Sequence, residues 1–459
     1  MAVAEAWSER ELIRLDALIA EGERSFVERQ PRSTALIERA KKSLAGGVTS
    51  SWQIAWPQTI WMSHGLGSRI FDADGAEYVD LHGGYGVGVV GHGHPRLVEA
   101  LRERVGRGTH FAQPTEDAIT VAEELVRRFG LPLWRLNNSG TEATMDAVHL
   151  MRAVTGRDLI VKIEGGYHGH HDSVMVSIAN DLGELGPPER PYNPPYGIGV
   201  PRALTNLTVI APYNDLDAMN RILTEHDGDV AGVIMEPIMM NAGIIPPENG
   251  YLQGVREVTR RHGVLLTFDE VKTGATVAYG GATGLFGVKP DLMCLAKAMG
   301  GGVPCGAIGG TEEVMEAIVE GIYEQVGTFN GNPLTMAAAR VALTEILTPE
   351  AYDHLTELRN RLVEETQRII ERFSLPAYAL GFGAKGAVTF SPTTVRNYRD
   401  FLAVDDRFSH LHWLYQHNGG VFLPPWGKAE QWTISVQHSR EDIDLFLENF
   451  EAFAIALRS

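Results

Sequence analysis

The feature that most constrains the fold is an alternation of short apolar segments with helical periodicities between about residues 95 and 310. The apolar segments predict strands, and the stretches between them predict amphipathic helices. The predicted strands are LWRLN, DLIVKI, LTVIA, VAGVIME, VLLTFDE and DLMCLA. Strands that are joined through helices usually lie parallel in one sheet with helices on both faces. We therefore predict an α/β fold in which a mostly parallel sheet lies between helices.

The regions before and after these alternating segments show other sequence patterns. Residues 69–80 alternate apolar and polar side chains around Asp74-Gly75, which is typical of a β-hairpin. Beyond Pro333 a helical run precedes a charged helix at residues 351–372 and two strand-like segments. We predict an N-terminal helical segment with the start of a small lobe at 1–75, a large α/β domain at 76–332 and a small α+β domain at 333–459.

The composition excludes several classes of function. A formal net charge of −18, without a long basic cluster, argues against a nucleic-acid partner. The longest apolar stretch, residues 230–245, is interrupted by Glu236 and Asn241, so we predict no membrane span. Cys294 and Cys305 are too few for a disulfide framework and favour a reducing compartment. We expect a cytoplasmic protein with small-molecule partners.

A first candidate for chemistry follows the strand LWRLN. Open α/β sheets bind ligands at the carboxyl ends of their strands. Ser139, Gly140 and Thr141 follow this strand and begin a predicted helix, where backbone N–H groups could hold a phosphate. The alternative is a plain helix cap, in which Ser139 pairs with Glu142 and binds no ligand.

Two further strands end in ionisable groups. Asp269 and Glu270 close VLLTFDE, and an acid after an apolar strand needs a partner, which loop amides or an arginine could also supply. Lys297 follows DLMCLA and is either a solvated loop residue or an amine with a lowered pKa that can act as a nucleophile. A phosphate turn, an acid and an amine together fit pyridoxal phosphate (PLP). Tyr167, after DLIVKI, could stack on its ring.

Other functions are less consistent with these residues. Residues 86–91 satisfy the GxGxxG pattern of nicotinamide binding, but Gly-His-Gly-His-Pro follows them instead of a helix. His168, His170 and His171 with Asp172 could bind zinc, although loop histidines more often bond the backbone, and we predict no metal. A non-catalytic relative is disfavoured because all the PLP-binding groups are present together.

Several segments resemble the class III aminotransferases of fold type I, most closely glutamate-1-semialdehyde 2,1-aminomutase and related β-amino-acid aminotransferases. They include NNSGTEATMDA, VTGRDLIVKIEGGYHGHHDS, FDEVKTG, GVKPDLMCLAKAMGGGVPCGAIGG and GTFNGNPLTMAA. The resemblance covers about residues 43–446. It implies a fold type I PLP-dependent transferase with a seven-stranded type of sheet in its large domain. It also implies a homodimer with active sites at the subunit interface.

The resemblance also implies roles for individual residues. Lys297 would be the Schiff-base lysine, Asp269 the partner of the pyridinium nitrogen, and Tyr167 the catalytic-site aromatic on one ring face opposite Val271. The remaining cofactor-binding residues would be Ser139, Gly140 and Thr141 at the phosphate, Thr328 at the phosphate of the neighbouring subunit, Asn241 near the phenolic oxygen, Glu236 in the same strand-end group, and His168.

The chain departs from the aminomutase pattern in the substrate pocket. The family's Ser-x-x-Arg segment aligns with Ser50 and Gln53, and a neutral amide cannot replace a bidentate guanidinium against a carboxylate. Further pocket candidates are Trp52, Tyr85, Lys428 and Glu430. We predict transfer of an amino group from a β- or ω-amino acid or amine to a keto acid or aldehyde, with the cofactor cycling through pyridoxamine phosphate. The alternative is the aminomutase reaction, which forms 5-aminolevulinate.

Overall fold

A computed structural model describes residues 7–425, 427–429 and 431–458 of the chain. These residues form fourteen strands and sixteen α-helices. The strands are β1 (Met62–Leu66), β2 (Arg69–Asp72), β3 (Glu77–Asp80), β4 (Leu133–Asn137), β5 (Leu159–Ile163), β6 (Thr208–Ala211), β7 (Val230–Met235), β8 (Leu265–Asp269), β9 (Leu292–Ala296), β10 (Gly306–Gly310), β11 (Tyr378–Phe382), β12 (Lys385–Thr389), β13 (Val421–Phe422) and β14 (Trp432–Thr433). The helices are α1 (Glu9–Glu28), α2 (Pro31–Ala40), α3 (Gly83–Gly86), α4 (Pro95–Gly106), α5 (Glu116–Phe129), α6 (Gly140–Thr155), α7 (Arg202–Thr205), α8 (Leu216–Glu225), α9 (Tyr251–Arg261), α10 (Gly281–Phe286), α11 (Glu312–Val319), α12 (Pro333–Val341), α13 (Pro349–Arg372), α14 (Tyr398–Leu402), α15 (Asp406–Asn418) and α16 (Arg440–Arg458).

The described residues fold into two compact units. The large unit comprises Pro95–Tyr352 and Val395–Leu402, and the small unit comprises the other described residues. The large unit begins at Pro95 and not at the predicted residue 76, because β3 pairs with β2 and β13 of the small unit. It extends beyond the predicted residue 332 because α12 packs against α4 and α5.

The large unit is built on a seven-stranded sheet in the order β4-β10-β9-β8-β7-β5-β6. The five strands from β9 to β6 run parallel, and β10 runs antiparallel to both of its neighbours. All six strands predicted from apolar segments are present, which confirms the mostly parallel sheet. Strand β10 was not predicted because its sequence, GAIGG, has no apolar run. A Cβ on Gly309 would lie 2.6 Å from the Trp134 ring, so a side chain there would displace the indole.

Both faces of this sheet are covered, as predicted. Along β9, Leu292 and Cys294 belong to the apolar cluster that includes α6 and α11. Met293 and Leu295 belong to the cluster on α5 and α12. Successive strand residues point to opposite faces, so a strand buried on both sides is apolar throughout.

A short return of the chain, Val395–Leu402, belongs to the large unit and was not predicted. The Arg399 guanidinium bonds both carboxylate oxygens of the buried Glu164, at 3.0 and 2.8 Å. It also donates to Gly186 O at 2.7 Å, in the segment between β5 and β6. This bidentate pair compensates the burial of the Glu164 charge after β5.

The small unit combines helices with two antiparallel-rich sheets. One sheet has the order β1-β2-β3-β13 and contains the predicted β2-β3 hairpin, and the other has the order β11-β12-β14. The predicted charged helix at 351–372 corresponds to α13. Within the described ranges, no helix combines the length and the apolar character needed to cross a lipid bilayer.

Candidate active site

The candidate residues follow neighbouring strands of the large sheet. Strands β9, β8, β7 and β5 are adjacent and parallel, and their carboxyl ends meet at one edge. Lys297 follows β9, Asp269 ends β8, Glu236 follows β7, and Tyr167 and His168 lie in the loop after β5. The topology therefore brings these side chains to the edge where open α/β sheets bind ligands.

Asp269 is held by two donors at this edge. His168 Nδ1 lies 2.8 Å from Asp269 Oδ2, and Val271 N donates to Oδ1 at 3.0 Å. Both the His168 and the Asp269 side chains are buried, and His168 Nε2 has no hydrogen-bond partner among the described residues. The expected alternative, an acid satisfied by loop groups, is thus partly realised. An ionised carboxylate has about four acceptor sites, so Asp269 can still receive a further N–H.

Glu236 connects two loops of the site. Its Oε1 accepts from Tyr167 N at 3.0 Å, and its Oε2 accepts from Met240 N at 2.7 Å. The second bond fixes the turn that contains the partly buried Asn241. Burial, with the nearby Tyr196 and Asp269, raises the pKa of Tyr167 to about 12. The Tyr167 phenol is therefore protonated at neutral pH.

Lys297 begins a 3₁₀ turn, Lys297–Gly300, directly after β9. Its φ of +54° lies in the left-handed region, which is uncommon for a residue with a side chain and is typical of functional sites. Burial lowers the pKa of Lys297, while the charges of Asp269 and Glu236 oppose that shift. A larger share of neutral amine follows, and the neutral amine is the nucleophilic form.

The turn before α6 carries the phosphate candidates. Ser139 Oγ accepts from Glu142 N at 3.2 Å, so the predicted helix cap is present. Thr141 Oγ1 accepts from His170 N at 3.2 Å. A Cβ on Gly140 would lie 2.9 Å from both γ carbons of Val271, so Gly140 lets the turn approach the residue expected against the ring.

These features fit pyridoxal phosphate. Backbone N–H groups at the start of a helix such as α6 suit an anion, and Gly140 leaves room beside Val271. Asp269 offers a buried carboxylate to a ring nitrogen, and Lys297 offers a desolvated amine. The roles of Ser139, Gly140, Thr141, His168, Glu236, Asn241 and Val271 toward the cofactor remain predictions that this geometry supports.

One residue of the site was not predicted. Lys272 Nζ donates to Met240 O at 2.9 Å, and burial together with repulsion by Lys297 lowers the pKa of Lys272 to about 7. The signal in the sequence is that Lys272, three residues after Asp269, is the one charged side chain in residues 271–278. That signal does not by itself say whether the side chain turns inward.

The zinc alternative receives no geometric support. His171 Nε2 lies 3.3 Å from Thr144 Oγ1, and burial lowers the pKa of His171 to about 4. In the described part of the chain, no three His, Cys, Asp or Glu side chains are placed to hold a metal ion. The GxGxxG segment, residues 86–91, starts at the last residue of α3 and contains a 3₁₀ turn at Gly88–Val90, without the strand-to-helix turn of nicotinamide sites.

The substrate-pocket candidates belong to the small unit. Tyr85 OH donates to Trp52 O at 2.8 Å, and the two rings are 5.7 Å apart. The exposed Gln53 accepts from Thr49 Oγ1 at 2.5 Å, and Ser50 is also exposed. Trp52, Gln53 and Tyr85 are therefore close neighbours, and their role in substrate binding stays a prediction.

Of the two remaining pocket candidates, Lys428 is bonded to neighbouring residues and Glu430 cannot be described. Lys428 Nζ donates to Val404 O at 3.0 Å and lies 3.8 Å from Asp406 Oδ2. The Lys428 cation thus already has local partners. Glu430 lies outside the described residues.

Thr328 occupies an exposed turn of the large unit between Val326 and Phe329. No hydrogen bond between described residues joins it to the phosphate candidates at the start of α6. This position is compatible with the expected contact across a subunit interface, which stays a prediction.

The known proteins that this chain resembles include aminotransferases and aminomutases. A family model described as aminotransferase class-III matches residues 54–452. Glutamate-1-semialdehyde 2,1-aminomutase 1 of Staphylococcus carnosus is 38% identical over 425 residues, which cover 92% of this chain and 97% of the relative. Among solved structures, an omega-transaminase from Sphaerobacter thermophilus has a TM-score of 0.90 at 33% identity and covers 94% of this chain and 100% of that one. A glutamate-1-semialdehyde-aminomutase variant from Pseudomonas aeruginosa PAO1, in complex with PMP, has a TM-score of 0.89 at 30% identity, covering 97% and 99% of the two chains.

Proposed function

The chain belongs to the class III aminotransferases, and from this premise we propose that it transfers an amino group from a β- or ω-amino acid or an amine to a keto acid or aldehyde. It is a PLP-dependent enzyme of fold type I, a transaminase or an aminomutase. The observation that carries the proposal is that Lys297 directly follows β9, while Asp269, bonded to His168, ends the adjacent parallel strand β8.

The chain's own residues account for the reaction as follows. When bound, PLP supplies an aldehyde that takes up an amino group and returns it to a carbonyl compound by way of pyridoxamine phosphate. Lys297 provides the amine that attaches the cofactor and a nitrogen that can carry a proton at the reacting carbon. Asp269, oriented by His168, would hold the ring nitrogen of the cofactor and favour its protonated form. Glu236 holds the loop of Tyr167 in place against the site.

The proposed donor class rests on three residues of the small unit. Gln53 stands where the aminomutase pattern has an arginine, and an uncharged amide binds a carboxylate far more weakly than a guanidinium does. Gln53 is also engaged by the Thr49 hydroxyl. Trp52 and Tyr85 offer aromatic surface to an apolar amine. The omega-transaminase among the structural neighbours supports the same donor class.

The test uses the holoenzyme without any acceptor. We would mix it with a panel of β-amino acids, ω-amino acids, amines and glutamate 1-semialdehyde, following the cofactor absorbance and the released products together. Loss of the absorbance with stoichiometric release of a carbonyl product from one donor class supports the proposal. Catalytic conversion of the semialdehyde into 5-aminolevulinate without release of a carbonyl product would contradict it.

The aminomutase reaction is the second candidate. The 38% identity to the Staphylococcus carnosus aminomutase over nearly the full length favours it. Both reactions use the same residues of the large unit and differ in whether the carbonyl intermediate is released. The donor panel separates them because only the aminomutase would form 5-aminolevulinate.

We also propose that the protein works as a homodimer. Large apolar side chains are exposed on the large unit around Thr328, including Val326 at 79% and Phe329 at 57%. Large apolar side chains that are exposed in one subunit are often buried at an interface between subunits. Light scattering of the purified protein would show a mass of two chains, and Phe329→Asp would shift it toward one.

A cytoplasmic location is proposed on the two free, buried cysteines, Cys294 and Cys305.

A further inference from the structure

The loop after β5, which carries His168, lies against the first turns of α6. His170 N donates to Thr141 Oγ1 at 3.2 Å. Gly169 has a φ of +99°, and a Cβ there would lie 2.7 Å from both Cα and Oγ1 of Thr141. A glycine allows a backbone to approach its neighbour this closely. The loop is therefore packed directly on the helix that begins at the phosphate candidates.

One buried hydroxyl, that of Thr144 in α6, joins the helix to this loop. Thr144 is fully buried, and its Oγ1 lies 2.5 Å from His168 O. Oγ1 also lies 3.0 Å from Gly140 O and 3.1 Å from Thr141 O, within its own helix. A carbonyl oxygen can only accept, and a threonine hydroxyl has one proton to donate. The nearest of the three acceptors is His168 O, so we assign the main hydrogen bond of Thr144 to the loop.

The imidazole of His171 extends this arrangement. His171 Nε2 lies 3.3 Å from Thr144 Oγ1. Burial and the nearby His168 lower the pKa of His171 to about 4, so its ring is neutral at neutral pH. Because the Thr144 proton points to His168 O, His171 Nε2 carries the ring proton and donates to Oγ1. A chain of hydrogen bonds thus runs from His171 through Thr144 to His168, whose Nδ1 lies 2.8 Å from Asp269 Oδ2.

We propose that Thr144 is a positioning residue whose hydroxyl holds the His168 backbone, so that the imidazole stays against Asp269. The inference rests on the proposed role of Asp269 toward the ring nitrogen of the cofactor. Asp269 is oriented by two donors, the His168 ring and Val271 N. Without the Thr144 bond His168 can shift, and the carboxylate then loses part of its fixed direction. A group that acts on a bound ring depends on such supporting hydrogen bonds.

The plain alternative is a buried threonine that only bonds back to its own helix. Thr259 on α9 is the matched control for this alternative. It is fully buried, and its hydroxyl donates to Arg256 O at 3.0 Å, three residues earlier in the same helix. Thr144 has the same kind of contact with Thr141 O at 3.1 Å. Of the two threonines, Thr144 alone also bonds the loop after β5.

The experiment measures the visible circular dichroism of the holoenzyme, which reports how the bound cofactor ring is oriented, and then kcat and KM for a substrate that the wild type converts. Thr144→Val removes the hydroxyl but keeps a branched side chain of similar size. We expect a weaker dichroism and a kcat that is lower by about tenfold, with KM changed by less than about twofold. Thr144→Ser keeps the hydroxyl and Thr259→Val leaves the loop intact, so both should stay within about twofold of the wild-type kcat.

A double-mutant cycle tests whether Thr144 acts through His168. His168→Phe removes the bond to Asp269, so adding Thr144→Val to it should lower kcat further by less than about twofold. Losses that multiply in the double variant would overturn the proposal, because Thr144 would then act by another route. A wild-type dichroism and kcat in Thr144→Val would also overturn it, as would equal effects of Thr144→Val and Thr259→Val.

A second pair of variants covers the case in which Thr144→Val does not fold or bind PLP. Thr144→Ser and Thr144→Ala both lack the methyl group and differ in the hydroxyl, so an equal kcat and dichroism in this pair would refute the proposal. The dichroism is recorded without any donor, and its result is therefore independent of the proposed donor class. That class is tested separately by the donor panel on the wild-type enzyme.

Discussion

His168 Nδ1 lies 2.8 Å from Asp269 Oδ2, and the exposed fraction of neither side chain exceeds 4%. The imidazole thus orients the carboxylate that ends β8, a strand whose last four residues are buried. The arrangement parallels other sites in which a buried partner fixes a functional group by a single hydrogen bond. Asp269 is therefore placed to act on a bound ring nitrogen from a defined direction.

Replacing Asp269 should damage catalysis more than cofactor binding. In Asp269→Asn the carboxylate charge is lost, and we expect kcat to fall by about a hundredfold or more. The cofactor absorbance of the purified variant should persist, which separates the two effects. Asp227→Asn is the control, because it removes the partner of His262 in an exposed His–Asp pair at 3.0 Å. A kcat near that of the wild type in Asp269→Asn would contradict the assigned role.

Glu236 should contribute to stability as well as to the site. Glu236→Ala leaves Tyr167 N and Met240 N without their acceptor in a buried environment. Each unsatisfied backbone N–H costs about 1 to 3 kcal/mol, so we expect the free energy of unfolding of the apoenzyme to fall by about 2 kcal/mol or more. Glu248→Ala removes an exposed pair with Arg396 and should cost less than about 1 kcal/mol in the same denaturant titration. Equal losses in the two variants would refute this expectation.

The large sheet could be predicted because its parallel strands are buried on both faces. The clearest of the apolar segments, Leu292–Ala296, is a continuous apolar run that is buried throughout. Strand β10 could not be predicted, since its glycines carry no apolar signal and one of them, Gly309, makes room for Trp134. The return of Val395–Leu402 to the large unit depends on the pair between Arg399 and Glu164, which are far apart in the chain.

For the candidate site, the sequence alone predicts which residues follow each strand. The rule that ligands bind at the carboxyl ends of strands selects Lys297, Asp269 and Tyr167 without any coordinates. The partners of these residues depend on loop conformation. The His168–Asp269 bond and the Lys272–Met240 bond each join residues that are far apart in the chain, and a local pattern contains no information on such a pairing.

A methyl group on Gly140 should weaken cofactor binding. In Gly140→Ala the new Cβ would meet both γ carbons of Val271 at 2.9 Å, so the turn and Val271 must move apart. Overpacking of this kind costs about 1 to 3 kcal/mol, and we expect the Kd for PLP to rise at least about tenfold. Gly284→Ala, whose added Cβ would meet nothing within 4 Å, is the control in an absorbance titration of the apoenzyme. An unchanged Kd in Gly140→Ala would show that the turn does not bear on the cofactor.

The stability of the small unit should depend on pH through His92. The His92 ring bonds Asp80 Oδ2 at 2.6 Å, and this hydrogen bond raises the pKa of His92. A raised pKa in the folded state stabilises the fold below the ordinary value of about 6.5, and this contribution is lost as the pH rises through the folded value. His92→Gln should therefore lower Tm more at pH 6 than at pH 9. His64→Gln, at an exposed position of the same unit, is the control, and equal losses at both pH values in His92→Gln would exclude this linkage.

A guanidinium at position 53 should change which donors the enzyme accepts. Gln53 is exposed, and its amide oxygen accepts from the Thr49 hydroxyl at 2.5 Å, so the side chain has room at the surface of the small unit. Gln53→Arg supplies two parallel N–H donors to a carboxylate, and we expect kcat/KM for carboxylate-bearing donors to rise by about tenfold relative to uncharged amines. Gln253→Arg adds the same charge at an exposed position of the large unit and should leave this ratio unchanged. An identical ratio in the two variants would mean that residue 53 does not face the donor, and the proposal of an amine donor would then have to rest on the donor panel alone.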